Sequence, residues 1–372
     1  MIRFRSAKAN ELIEKAREMP SGVQQIEMYR RASVLADRQG DLAAAFAARD
    51  ELCQAAYYTE QTLDQLIAFA YCLGASQRHP DQFNQGDLMW RYKWVAGSLK
   101  SCIYVPIRLY ERLLEEMEVT YRKHGLGTAA VDQLRLSFYI NTGQKDRLER
   151  AFIAWENNRD RSGSDCAACQ QDRRVDYYVE IGDHERAIQE AEPLISKRMR
   201  CAEIPHMTFG TLYWPLLHLG RFEAAVDCFV QGYDMVKGRE GLTSTVAEHL
   251  MFLAVAGQLP AGFQAMQYHL KVGMSLPYEA QLLVFYRGVW ALLERAVMEG
   301  WGVVTLSLSP RFPLYESDGI YDVPRLRDFF CSQLDDLNTR FDLRNGNSYI
   351  SQLTADVQSW LNLRLHLSLE RD

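Results

Sequence analysis

Apolar positions recur at helical spacing through nearly all of residues 7–297, and the pattern breaks every ~15–20 residues at Gly, Pro or Asn. The breaks read "REMPSG", "RQGD", "RHPD", "KHGLG", "NTGQ", "EIGD", "HLGR" and "AGQLP". Helices of that length joined by tight turns predict antiparallel helix pairs. After Gly300 the pattern changes. Val304, Leu306 and Leu308 alternate with Thr305, Ser307 and Ser309, which is the period of a strand. Asp318-Gly319 is a turn signal, so a small hairpin is expected. "DVPRLRDFFCSQLDDLNTRFD" predicts a helix with Asp322 as its cap and Pro324 in its first turn. "YISQLTADVQSWLNLRL" predicts a last helix burying Ile350, Leu353, Val357, Trp360 and Leu361.

Four turn glycines give the pattern a longer period. Gly143, Gly182, Gly220 and Gly257 follow one another at intervals of 39, 38 and 37 residues, each at the end of an apolar helix. Five residues after the last three stands a small residue, Ala187, Ala225 or Gly262, and Gly40 is followed by Ala45 in the same way. Leu148 departs from the rule after Gly143. A glycine supplies a left-handed backbone at such a turn, and a small residue lets two antiparallel helices approach closely.

"EIGDHERAIQEAEPLI" and "HLGRFEAAVDCFVQGY" resemble the turn and second helix of tetratricopeptide (TPR) repeats, with Tyr178 and Phe229 where that family places aromatics. The resemblance covers residues 128–273 and extends to 23–57; at 58–127, "DLMWRYKWVAGSLKS" fits no repeat. The observed periods exceed the usual ~34 residues of the family. The resemblance implies an all-α fold, an α-solenoid of TPR-like antiparallel helix pairs, and the changed pattern after Gly300 adds the expectation of a small mixed α/β C-terminal cap. The organisation expected is an N-terminal helical region with degenerate repeats at 1–127, TPR-like repeats at 128–298 and a strand/helix cap at 299–372.

Composition narrows the function. The 372 residues are 48% hydrophobic and 24% charged, ordinary values for a globular protein. A net charge of −6 argues against nucleic acid as the main partner. No stretch has ~18 uninterrupted apolar residues, so no membrane span is expected; "QLLVFYRGVWALLERAV" is broken by Arg287, Glu294 and Arg295. The N-terminus lacks the apolar core of a secretory signal. The eight cysteines are therefore expected as thiols or metal ligands in a reducing cytoplasm.

Four residues carry the candidate chemistry. Cys166 and Cys169 stand at a predicted helix start, and Cys201 and His206 occupy the corresponding place one repeat later. In a TPR-like stack those helix starts converge. C-x2-C followed by C-x4-H offers the Cys3His set that holds one zinc ion in a closed, structural site. Competing readings are independent core cysteines, a redox dithiol at Cys166 and Cys169, and iron–sulfur ligation. Cys53, Cys72, Cys102, Cys228 and Cys331 are expected as core cysteines, and His218, His249 and His269 as core or rim histidines. Glu248 and His249, adjacent on a helix, point about 100° apart. Asp172 and Asp176 read as a solvated face.

No phosphate-binding loop, dinucleotide fingerprint, nucleophile elbow or HExxH is present. The expected role is a non-enzymatic, cytoplasmic protein–protein interaction scaffold. Its partner, a protein or peptide, lies in the concave groove against Phe209, Trp214 and Met251, with Gly210 and Ala247 leaving room for a pocket. The positions at which chaperone-binding TPRs grip a carboxylate hold Asp172, Asp176, Gly210, Trp214, Ala247 and Met251, so that mode does not carry over. The alternatives are a thiol- or zinc-dependent enzyme using Cys166 and Cys169, or a peptide-sensing regulatory TPR protein.

Overall fold

The computed structural model describes residues 3–59, 61–83, 85–276 and 278–370. The chain is mostly helical, with one two-stranded sheet among the described residues. No described helix is long and apolar enough to cross a membrane. The chain forms two compact units: Met1–Arg135 with Ala154–Ser164, and Leu136–Ile153 with Asp165–Asp372.

The first unit contains α1 (Arg3–Arg17), α2 (Val23–Gln39), α3 (Leu42–Tyr58), α4 (Thr62–Arg78), α5 (Gln85–Lys100) and α6 (Ile107–Lys123). Each helix packs on the next, and α3 also packs beside α1 and α5. The interfaces of α1–α3 are built from alanine: Ala9, Ala16, Ala32, Ala36, Ala45, Ala48 and Ala56 are buried. Asp41 caps α3 by accepting the Ala44 amide at 2.9 Å, directly after the turn at Gly40. The stretch that fits no repeat forms α4–α6. There the contacts are heavier: Tyr57 stacks on Trp94 with ring centroids 4.6 Å apart, and the Tyr121 hydroxyl donates to the Met89 carbonyl at 2.7 Å.

Next in the chain come α7 (Ala129–Thr142) and α8 (Lys145–Asn157). The second unit then runs through α9 (Ala167–Glu180), α10 (His184–Ile195), α11 (His206–Thr211), α12 (Tyr213–His218), α13 (Phe222–Val236), α14 (Thr243–Val255), α15 (Leu259–Gly273) and α16 (Glu279–Met298). All eight predicted breaks fall between helices. The four periodic turn glycines have φ between +64° and +77°. The small residues that follow are buried at helix contacts: Ala187 and Ala225 are fully covered, and a Cβ on Gly262 would lie 2.3 Å from Leu292 of α16. One predicted helix is divided. Pro215 has no amide to donate to the preceding turn, and the segment 206–218 is split into α11 and α12.

Along the second unit α9 packs on α11, α11 on α14, and α14 on α16. Gly210 and Ala247 serve these contacts rather than a pocket. A Cβ on Gly210 would come within 3.0 Å of Thr245, and one on Gly288 within 2.8 Å of the Ala247 carbonyl. Asp172, expected in solvent, is buried between α9 and α11 and accepts a 2.5 Å hydrogen bond from the Thr208 hydroxyl. His249 and His269 are core histidines, and the Tyr213 hydroxyl pairs with His249 Nδ1.

Beyond Gly300, β1 (Val303–Thr305) pairs antiparallel with β2 (Ile320–Asp322) in the register Val304 to Tyr321. The strand segment is shorter than its alternation suggests. Then α17 (Val323–Asn345) starts where predicted, its Arg325 amide held at 2.7 Å by the Asp322 side chain, and packs on α16. The last helix, α18 (Tyr349–Asn362), turns back onto α14 and α16.

Candidate metal centre and cavity

Cys166 is the N-cap of α9, and Cys169 sits in the first turn of that helix. Cys201 lies in the segment before α11, where its amide donates to the Ile204 carbonyl at 3.0 Å. Cys166 and Cys169 have their sulfurs 3.5 Å apart, as do Cys169 and Cys201, and all three sulfurs lie within 4.8 Å of one another. A tetrahedral ion with Zn–S bonds of about 2.3 Å holds its sulfurs about 3.8 Å apart, so this spacing can hold a metal. No other such cluster of ligating groups occurs among the described residues.

The local electrostatics follow from the helix start. Burial works against ionisation of Cys166. The amides of Cys169 and Ala168 and the neighbouring thiols outweigh it and bring its thiol below the ordinary value. Burial, with Cys201 and Cys166 alongside, raises Cys169. Cys53, Cys72 and Cys228 are instead buried outside the cluster, and burial pushes Cys53 and Cys228 up to about 12. Cys102 and Cys331 are half-buried and stand outside the cluster.

His206 is not part of the cluster of three sulfurs. It opens α11, its ring is largely buried, and its Nδ1 is buried without a hydrogen-bond partner. Burial, then the charge of Arg239, pulls its pKa down, which keeps the ring neutral and available as a ligand.

The second feature is a cavity of about 700 Å³ in the second unit, with α9, α12, α14 and α16 on one side and α18 on the other. Trp214 and Met251, singled out from the sequence, both line it. Phe209 does not: it is 1% exposed and packs against Gly232 of α13, so it belongs to the core and not to a binding face. Met251 is also nearly covered and reaches only the cavity.

The C-terminal helix closes the far wall. The Tyr349 hydroxyl donates to Glu180 at 2.6 Å, the Asn347 amide to the Thr142 carbonyl at 2.8 Å, and Trp360 meets His218 edge-on with centroids 5.0 Å apart. The tail continues this line, with the Leu367 amide donating to the Ala256 carbonyl at 2.9 Å. The face expected to be an open groove is therefore roofed by the chain itself.

Within the cavity, Glu248 accepts a 3.2 Å hydrogen bond from Trp214 Nε1. Burial is the main reason its carboxyl is pushed up to about 7; the Trp214 bond and the charge of Arg287 pull the other way. Arg287, which the sequence presents as an interruption of an apolar run, is 5% exposed. It donates to Thr354 Oγ1 at 3.0 Å and to the Ile350 carbonyl at 3.3 Å. Sequence reasoning passed over Glu248, Arg287, Glu180 and Tyr349 as a group. A lone arginine inside "LVFYRGVW" was the available signal, since a charge within an apolar helix needs a partner. Comparison with known proteins adds no name to these features: no protein-family model matches the chain, and no curated protein matches it.

Proposed function

We propose that the chain is a non-enzymatic interaction scaffold, made of stacked helix pairs of the TPR kind, in which one structural zinc ion joins two consecutive pairs. The convergence of Cys166, Cys169 and Cys201 carries the reading, because the start of α9 and the segment before α11 supply thiols at metal-ligand spacing. The contacts of α9, α11, α14 and α16 in chain order support the stacked arrangement. His206 is the fourth ligand in this reading. Its buried, unpartnered Nδ1 supports that role, and binding would draw the ring toward the three sulfurs. Four protein ligands leave no open position, so the ion would be structural. The place of action is the reducing cytoplasm, where such thiols persist. A protein or peptide partner reaches Trp214 and Met251 by entering the cavity beneath α18.

Elemental analysis of protein purified without chelator tests the zinc reading, with about one equivalent expected. His206→Ala should weaken retention of the ion against a chelator by roughly 10-fold or more. Protein that holds no metal defeats the reading. The exposure of Cys166 favours one alternative, a thiol enzyme. Rapid alkylation of Cys166 in the metal-loaded native protein would support that alternative, and protection would support the staple.

A further inference from the structure

The cavity beneath α18 contains a carboxylate that the protein compensates only in part. Glu248 receives one hydrogen bond, from Trp214. Arg287 attracts it, while its Nε and one Nη donate to Thr354 and Ile350 of the opposite wall. Of the other charged groups in the lining, Lys145 acts on Glu180 through its charge. Glu180 accepts from Tyr349 and has Lys145 nearby, while His184 and His218 stack with centroids 4.4 Å apart. Burial, then the neighbouring His218, keeps His184 toward its neutral form. Acceptor capacity remains on Glu248, and on Asp356 of α18, which lines the cavity and accepts one bond, from Gln352 at 2.8 Å. Much of the remaining lining is apolar and aromatic, with Trp214, Trp360, Met251 and Leu353.

Glu248 is half-buried and faces the cavity, and a carboxylate held there without a full set of partners is stabilised by a cation that enters beside it. Indole faces attract the same charge. Three carboxylates, Glu180, Glu248 and Asp356, line the cavity against two permanent cations, Lys145 and Arg287, so the balance of fixed charge favours a cation over an anion. We propose that this cavity binds an organic ammonium ion, its head against Glu248 and its apolar body against Trp214 and Trp360. The inference rests on the reading of the Trp214 and Met251 wall as the binding face, and it names the chemistry of what binds there. The ammonium head can belong to a free amine or to a lysine side chain of a partner.

Calorimetric titration of the full chain with phenethylammonium, 2-phenylethanol and phenylacetate tests the charge preference. Phenethylammonium should bind at least ~10-fold more tightly than the neutral alcohol, and phenylacetate most weakly. Glu248→Gln keeps the acceptor for Trp214 and should remove the preference. Equal binding of the three probes, no binding of phenethylammonium, or a preference that survives Glu248→Gln overturns the proposal. If that variant does not fold, the ranking of the probes on the wild type decides. The peptide Ac-Phe-Lys-NH2, binding as tightly as phenethylammonium, would assign the head to a partner's lysine; weaker binding would assign it to a free amine. Zinc content measured on the same sample separates the two readings. Zinc-loaded protein indifferent to charge loses this site and keeps the staple. Zinc-free protein that prefers the ammonium loses the staple and keeps the site.

Discussion

The thiol cluster and the cavity are both polar sites in the second unit, built in opposite ways. The cluster draws on residues 166–201, joins the start of α9 to the segment before α11 and places Cys166 in solvent. Its backbone amides favour the thiolate at Cys166, while burial and the neighbouring sulfurs oppose it at Cys169 until a cation arrives. The cavity draws on residues 145–363 and depends on α18 returning to helices far earlier in the chain. Its central carboxylate is disfavoured by burial and is stabilised by only one hydrogen bond and a neighbouring charge. A local cluster survives small errors elsewhere in the fold. A remote one is only as stable as the docking of its last wall.

The largest expected effect tests the local site. Cys169→Ser removes the sulfur that lies 3.5 Å from both others. Metal content should fall from about one equivalent to near zero, and the melting temperature by about 5–10 °C. A variant that keeps its metal would show that Cys169 is not a ligand.

The remote site is tested next, at Gly143. This residue has φ +64°, and a Cβ there would lie 2.3 Å from the Tyr349 ring at the start of α18. Gly143→Ala combines a left-handed alanine with an overpacked contact, so a loss of about 2–4 kcal/mol is expected in denaturant unfolding. The cost should be accompanied by loosening of α18, read as faster amide exchange at 349–362.

These two tests also mark where the sequence was informative. Turn glycines and thiols are set by local rules: a backbone angle, a helix cap, a ligand spacing. They were therefore visible as "EIGD", "HLGR" and "DCAAC". The direction taken by α18 depends on pairs such as Tyr349 with Glu180, 169 residues apart, for which no local pattern exists. Asp172 was misplaced for a related reason. Helical phase shows which residues share a face, but not that α11 covers that face and supplies Thr208 to it. Phe209, likewise, is enclosed by a neighbour, α13, whose Gly232 lets it in.

Glu248 gives a smaller effect with a defined dependence on pH. Its carboxyl titrates near 7 in the folded protein, above the ordinary value. A raised acid stabilises the fold fully below the unfolded pKa and loses that contribution as pH rises through the folded one. Glu248→Gln should therefore match the wild type near pH 4 and exceed it by about 1–2 kcal/mol at pH 8, a value discounted for the cavity opening. His249 and His269, pushed down by burial to about 3 and about 4, produce the opposite slope in both proteins and cancel in the difference. A pH-independent difference would mean that Glu248 ionises normally and that the cavity is wetter than its packing indicates.

The smallest effect supplies the baseline for the second. Gly220 has φ +67°, close to that of Gly143, but a Cβ there would meet nothing within 4 Å. Gly220→Ala isolates the backbone cost, about 1 kcal/mol, from any clash. Subtracting it from the Gly143→Ala loss leaves the contribution of the Tyr349 contact, and hence of the α18 wall. A remainder of about 1–3 kcal/mol means that α18 is held firmly enough to define the cavity. A remainder near zero means that the wall yields to a methyl group, so that a partner could displace the helix and the comparison between a local and a remote site would have to be redrawn with α18 as a movable part.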